Sequence, residues 1–464
     1  MSTATYSTTQ DSLKVALVGG GVVGLTCALG LLQKGVTVEI FEAAAQFGEI
    51  GAGIGVGPNA ARVLRRLGVL DELCTQCKEP GLTMGEFLFY SAEGQNELLY
   101  SYPLTEGGLG NGLGAYRPAF LDTLVKYLPP SITHFHKRCT SIEPSTTNPS
   151  RNVLHFADGT SYEADVVIGA DGIKSTARST VTDNAKFLPV FSNTICFRGL
   201  IPMKEARAAG FTTEFNGRPL CFASKNRHLI VFSIEGDTII NVVAFAADYT
   251  KPIGTVSLPP DEPWVKVVSQ EEMFKVFEGC SSEVMALLEC IKEPSKWSIH
   301  VVHPHLESFV KGRVALIGDA AHGMLPHLGS GAGQGIEDAY ILAQLLGHPQ
   351  TNAGNIEGVL EAYDRWARPR AQMVWEGSLR AGKIYDGWGD GGLNPEGAAK
   401  DLGTQWAPVW FHDVDDNVRA AIDELKAGGY SPRGKCTSRV PERWISPSLA
   451  YSRIQRHDDM NKAT

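Results

Sequence analysis

The strongest pattern in the chain lies near its start. Lys14-Val-Ala-Leu-Val-Gly19 holds four consecutive apolar residues, too few for a helix and continuous enough for a strand buried on both faces. After three glycines the apolar positions resume, so residues 22–34 predict a helix and Val36 to Phe41 a second strand. A Gly-rich loop is expected over Gly51 to Gly57, followed by a helix from about Pro58, where proline suits the first helical position. Asp165 to Ala170 and Arg313 to Gly318 read as further buried strands. Between them, roughly residues 185–290, the pattern changes. Thr194 to Leu200, His228 to Ile234 and Thr238 to Phe245 are β-branched and apolar, separated by turn residues such as Glu235-Gly236-Asp237. These predict a mostly antiparallel sheet inserted into an α/β domain built on a parallel sheet. The expected division is 1–75, 100–185 and 290–355 for the discontinuous first domain, and 76–99 with 186–289 for the second. A helical, charged region is expected over 356–428 and an extended polar tail over 429–464.

At 464 residues the chain can hold two or three domains of about 100–200 residues each. Its formal charge, 42 − 51 = −9, argues against nucleic acid or an anionic membrane as partner. Val15 to Leu32 is uncharged for eighteen residues, yet Gly19, Gly20 and Gly21 interrupt it, so strand, turn and helix describe it better than a membrane span. No leader-like apolar stretch follows Met1, and the nine cysteines are odd in number and scattered. Reduced thiols and a cytoplasmic location are expected. Cys74 and Cys77 form a CxxC without a second pair at zinc-site spacing, so no metal is expected.

The chemistry sits in three motifs. Gly19-x-Gly21-x-x-Gly24 follows a strand and opens a helix: a tight turn, a close approach for pyrophosphate, and room for helix to pack on strand. Glu42 ends the next strand, 23 residues after Gly19, where a carboxylate would accept both ribose hydroxyls. Asp165-Val-Val-Ile-Gly-Ala-Asp171-Gly172 and Arg313-Val-Ala-Leu-Ile-Gly318-Asp319 each place an acid at the carboxyl end of a strand, where open α/β sheets bind ligands. Asp319 could take a polyol hydroxyl. The N–H groups of Gly331 to Gly333 could face a flavin pyrimidine that gains charge on reduction.

In this order and spacing the motifs resemble the single-component FAD aromatic hydroxylases. The run Gly318-Asp319-Ala-Ala-His322-Gly-Met-Leu-Pro326-His327-Leu328-Gly-Ser330-Gly331-Ala332-Gly333-Gln334-Gly335-Ile-Glu337-Asp338 closely resembles the salicylate hydroxylases of that group. So do Phe41-Glu42-Ala-Ala, Gly57-Pro58-Asn59-Ala60, Ile168-Gly-Ala-Asp171-Gly172-Ile-Lys-Ser175 and Asn241-Val-Val-Ala-Phe245, and the similarity runs from about Leu13 to Leu425. The resemblance implies a noncovalent FAD, reduction by NADH or NADPH, and O2 activation as a flavin C4a-hydroperoxide that attacks a small phenolic ring. For salicylate the product is catechol with loss of CO2. It implies that Glu42, Gly53, Arg117, Asp319 and Ala332 contact the flavin. Pro326 and His327 would lie over its ring, with His327 binding or deprotonating the phenol. Arg198 would sit near the ring, pairing with a carboxylate or tying the domains together. NAD(P)H would dock near Asp171-Gly172.

Bland readings stand beside these: Arg117 as a surface ion pair, His327 as a packed histidine, His322 as structural. Leu328 and Ser330 replace the usual Gln and Ala, and Phe232 stands where some relatives carry a phenol-anchoring tyrosine, so the pocket departs from the pattern. His300, His303 and His305 do not suggest a metal, and His134 and His136 are expected solvated on an edge strand. Alternatives are another phenol (a 4-hydroxybenzoate or a polyketide phenol), an oxygen-independent flavin dehydrogenase, or a silent flavin binder.

Overall fold

The computed structural model describes residues 13–48, 53–76, 85–103, 112–183 and 189–428. Its first strand, Lys14–Val18, pairs in parallel with Val166–Gly169 on one side and Thr37–Phe41 on the other. Val314–Leu316 adds a fourth parallel strand, and short edge strands at Thr133–His134 and Val310–Lys311 complete a six-stranded sheet. Val15, Ala16 and Leu17 are fully buried, as a strand covered on both faces requires. The helix Val22–Gln33 packs on the helix Gly331–Leu346, which is buried nearly all round, Ile336, Ala339, Ile341, Ala343 and Leu345 among its buried residues. The uncharged run from Val15 to Leu32 thus splits into strand, turn and helix. Among the described residues no helix is long and apolar enough to cross a membrane.

The second sheet has eight strands, antiparallel except where Leu220–Ser224 pairs with Phe87–Ser91. Alternation gives its two faces different tasks. Phe197, Leu229, Val231, Val242 and Ala244 pack against Met273, Phe277, Val284 and Leu287 of a helical layer. The residues between them, Cys196, Arg198, Ile230, Phe232, Asn241, Val243 and Phe245, face a large cleft. This sheet also takes in Leu98–Tyr102, which spans the expected boundary at 99/100, and Ser295–Val301, which lies beyond the expected boundary at 289/290; that boundary falls at the end of the helix Ser282–Cys290. Ser295–Val301 alternates polar and apolar residues and is half-buried along most of its length, which hides it from a search for apolar runs.

The expected loop at Gly51–Gly57 needs correcting where it is described. Gly53–Val56 is a strand, paired antiparallel with Leu113–Tyr116. Its glycine marks a close approach rather than a loop: a Cβ on Gly53 would lie 2.6 Å from the Phe232 ring. Residues 356–428 are helical as expected, led by the 30-residue helix Ile356–Tyr385. Its Arg370 is 1% exposed and holds Glu337 at 3.0 Å, while Asn59 donates to the same carboxylate. That network ties the long helix to the helices starting at Gly331 and Pro58. The tail after Gly428 lies outside the described residues.

Candidate active site

The cleft between the two sheets has a volume of about 1270 Å³, more than the roughly 300–1,000 Å³ of a typical small-molecule site. Its lining takes in Gly19 and Glu42 from the turns beside the first sheet, Phe232 from the second and Trp406 from the C-terminal helical region.

At the Gly19 end the backbone makes the site. Gly19 takes φ +103°, and its N–H donates to the Phe41 carbonyl at 2.9 Å. A Cβ on Gly24 would stand 2.1 Å from the Gly19 carbonyl oxygen, so helix and strand touch here. Gly21 caps the helix without a side-chain hydrogen bond, leaving the first N–H groups free for an anion. Glu42 accepts from the backbone N–H of Gly20 and of Ala44, each at 2.7 Å, and these bonds fix its carboxylate at the rim. An unshielded helix N-terminus, glycine backbone and anchored acid fit the ADP half of FAD.

Further along, Gly318 (φ +61°) turns the chain so that Asp319 opens into the cleft. Arg117 lies in the same stretch, open to the cleft yet crowded by protein. Burial lowers its pKa, Asp319 raises it and Arg198 lowers it further. Asp171 lines the cleft, but its carboxylate already accepts from Ser175 Oγ at 2.5 Å and from the N–H groups of Thr176 and Ala177. It caps its own turn, and burial raises its pKa against those donors. Arg178 donates to the Ile173 and Ala320 carbonyls, stapling the Asp171 turn to the Asp319 turn. Gly331 and Ala332 line the cleft at the start of a 16-residue helix. Gly333 instead faces Ala60, where a Cβ would meet Ala60 Cβ at 3.4 Å, so it serves packing.

At the far end, Phe232 presses on Gly53 and Gly114. Arg198 is half-buried, its guanidinium 5.1 Å from the Trp297 ring centre, and no described carboxylate pairs with it. Burial pulls its pKa down. Pro326 and His327 line the cleft, but the His327 ring is turned into its wall. His327 is 4% exposed, and both ring nitrogens are closed to water and without a partner. Burial, reinforced by His228, holds its pKa well below 6.5, so it is a neutral imidazole near pH 7. Asn241 went unsuggested as a site residue: 2% exposed, at the cleft, its Nδ2 unpartnered. A lone amide at an inward position of Ile239-Ile-Asn-Val-Val was the available signal.

His322 is structural. Its Nε2 lies 2.5 Å from Asp338 Oδ2, and Gln334 and the Gly318 N–H also bond to Asp338. Burial opposes the imidazolium, yet the Asp338 charge and hydrogen bond outweigh it and raise the pKa above 6.5. The pair therefore stabilises the fold fully below about pH 6.5, and this is lost as pH rises through the raised folded pKa. His322→Gln should cost about 1.5–3 kcal/mol at pH 6 and progressively less at alkaline pH. Denaturant melts across that range check it, and a pH-independent cost would refute it.

Among the described residues no group of three or more His, Cys, Asp or Glu stands where it could hold a metal ion, and the remaining histidines have other neighbours. His300 stacks on Trp264 at 3.6 Å, His303 lies parallel to the Trp375 ring, and His305 pairs with Glu376. His134 is not simply solvated. It is 2.7 Å from Glu39, and His136 lies beyond the strand at φ +59°, so the two do not share a strand face. Cys74 is buried; Cys77 lies outside the described residues.

Comparison with known proteins agrees with this geometry. A family described as FAD binding domain matches residues 12–378. A salicylate hydroxylase of Pseudomonas putida is 40% identical over 422 residues, covering 89% of this chain and 95% of that protein. A 6-methylsalicylate 1-monooxygenase of Aspergillus terreus is 32% identical over 425 residues, covering 88% and 89%. A solved salicylate hydroxylase substrate complex superposes with a TM-score of 0.77 at 34% identity, covering 88% of this chain and 98% of that one. With the cradle for FAD and the family match both in hand, the chain belongs to the FAD-binding domain family and is an FAD-dependent aromatic monooxygenase of its salicylate hydroxylase-like group.

Proposed function

We propose that this enzyme uses NADH or NADPH and O2 to hydroxylate a hydroxybenzoate, salicylate first, at the carbon bearing the carboxylate, giving catechol and CO2. The observation that carries the reading is Arg198: a half-buried guanidinium without a described carboxylate partner, the one charged side chain among the inward residues of this sheet wall named above, beside Ile230, Phe232, Val243 and Phe245. A benzoate supplies the missing charge, and Phe232, Val243 and Phe245 supply surface for its ring. Bound flavin supplies the activated oxygen. The chain's own residues hold the ring beside it, offer the helix start at Gly331 and Ala332 to negative charge on the cofactor, and keep water from the reacting carbon. A phenol that loses its proton pushes electron density onto the carbon to be attacked.

The nicotinamide cofactor docks, in this reading, beside Asp171-Gly172, where Lys174 stands at the cleft with its amine 4.3 Å from the Trp264 ring centre. Cys27, Cys139, Cys196, Cys221, Cys280 and Cys290 are free thiols, which supports a cytoplasmic setting.

The test is aerobic oxidation of NADH and of NADPH with and without salicylate, with catechol, CO2 and H2O2 measured together. Faster oxidation with catechol and CO2 in equal amounts is expected. Faster oxidation yielding H2O2 alone would make salicylate a mimic and point to another phenol. No response to any hydroxybenzoate would refute the substrate reading.

A further inference from the structure

Behind the aromatic wall of the cleft lies a buried polar chain that the reaction as described does not use. His228, on the strand Arg227–Ile234, and Asp386, which caps the long helix Ile356–Tyr385, are both fully buried. His228 Nδ1 and Asp386 Oδ1 are 2.7 Å apart, and the Tyr249 hydroxyl donates to Asp386 Oδ2 at 2.9 Å. With both carboxylate oxygens accepting, the imidazole hydrogen of His228 sits on Nδ1. Its Nε2 is then a bare acceptor, and it has no partner. Next to it stands His327, ring centres 5.0 Å apart and planes at 64°. Phe245 stacks on His228 at 4.8 Å and also meets His327, and Phe245 and His327 both line the cleft.

Three imidazole nitrogens are thus buried side by side without partners, a desolvation cost that apolar side chains packed in their place would not carry. His322, by contrast, has one nitrogen paired with a carboxylate and no second histidine beside it. The chain also leads somewhere. At one end His327 adjoins the cleft; at the other, half-buried Tyr249 meets the ring of Trp388, which is 42% exposed.

We propose that His327, His228 and Asp386 form a proton relay that carries the phenolic proton of the bound substrate from the cleft to the surface. The inference rests on the phenolic substrate proposed above. A turn of the His327 ring brings one nitrogen to the cleft and leaves the other toward His228. The substrate O–H bond breaks, its electron pair stays on the phenolate oxygen, and the proton bonds to the first nitrogen. The second nitrogen of His327 releases its proton to His228 Nε2. His228 Nδ1 releases its own to Asp386, which passes a proton to the Tyr249 oxygen as the Tyr249 hydroxyl releases its own proton to water. His327 is the catalytic residue here. His228 and Asp386 act through it, with Asp386 positioning His228 by fixing which nitrogen is bare.

The test uses the flavin-loaded enzyme and 5-nitrosalicylate, whose absorbance separates phenol from phenolate. The wild type should bind it as phenolate, and Asp386→Asn, which can invert the His228 tautomer, as phenol. With salicylate, kcat of Asp386→Asn should fall about 10²-fold while KM stays within about twofold, and Asp386→Glu should recover part of the loss. If Asp386→Asn does not retain flavin, His228→Gln carries the same comparison. A wild type that binds the probe only as phenol would overturn the relay. So would variants that bind phenolate and keep the wild-type kcat, and in that case the proposed reaction stands. A wild type that neither binds the probe nor responds to any hydroxybenzoate overturns the substrate reading and the relay together.

Discussion

Gly24→Val should give a protein that folds poorly and leaves purification with less than about a tenth of its flavin. The added Cβ would lie 2.1 Å from the Gly19 carbonyl oxygen and 3.0 Å from Leu17 Cδ2. A backbone oxygen in a turn whose N–H is already bonded to Phe41 has nowhere to go, so the helix Val22–Gln33 must lift from the strand Lys14–Val18. Ordinary overpacking costs about 1–3 kcal/mol, and this case adds the loss of the phosphate cradle, because the N–H groups after Gly21 move away from the cleft. Flavin absorbance per protein and the melting temperature check both parts. Gly48→Ala is the control, since a Cβ there meets nothing within 4 Å. A Gly24→Val protein with a full complement of flavin would show that the turn has slack the contacts deny.

That cradle was legible in the sequence because everything it needs lies within about thirty residues: an apolar strand, three spaced glycines, a helix and a terminal acid. The inserted sheet was legible for a related reason, since alternation is a local signal: Thr194 to Leu200 lies within the strand Val190–Pro202, and Thr238 to Phe245 lies, but for Thr238, within Ile239–Ala247. What escaped depends on partners far along the chain. His228 and Asp386 are separated by 158 positions and Glu337 and Arg370 by 33, and no periodicity announces either pair. Asp171 looked like a ligand-binding acid because it ends a strand, yet three donors within six residues of it claim its carboxylate. Gly53 looked like loop because glycine commonly breaks strands. The ring that requires it, Phe232, arrives from the other domain. Sequence shows which residue types are available at a site; which of them remain unsatisfied, and so available to a ligand, is decided by tertiary contacts.

Arg198 is the clearest case of such an unsatisfied group, and Arg198→Leu should lower kcat/KM for salicylate by roughly 30- to 4,000-fold, the equivalent of about 2–5 kcal/mol for truncating one partner of a buried charge pair. Strand alternation sends Phe197 into the helical layer and Cys196 and Arg198 toward the cleft. Trp297 supports the guanidinium from the neighbouring strand, and burial already lowers its pKa, so its charge is held at a cost that a carboxylate would offset. A tie between domains would show instead as an ion pair or hydrogen bond across the cleft, and none is made by Arg198 among the described residues. Arg198→Lys should recover only part of the loss, because an ammonium lacks the two-pronged fit to a carboxylate. The deciding comparison is with a phenol that lacks the carboxylate: Arg198→Leu should change its kcat/KM by less than about threefold. An equal loss for both would mean that the guanidinium acts on the flavin or on the fold, and the carboxylate would need another partner.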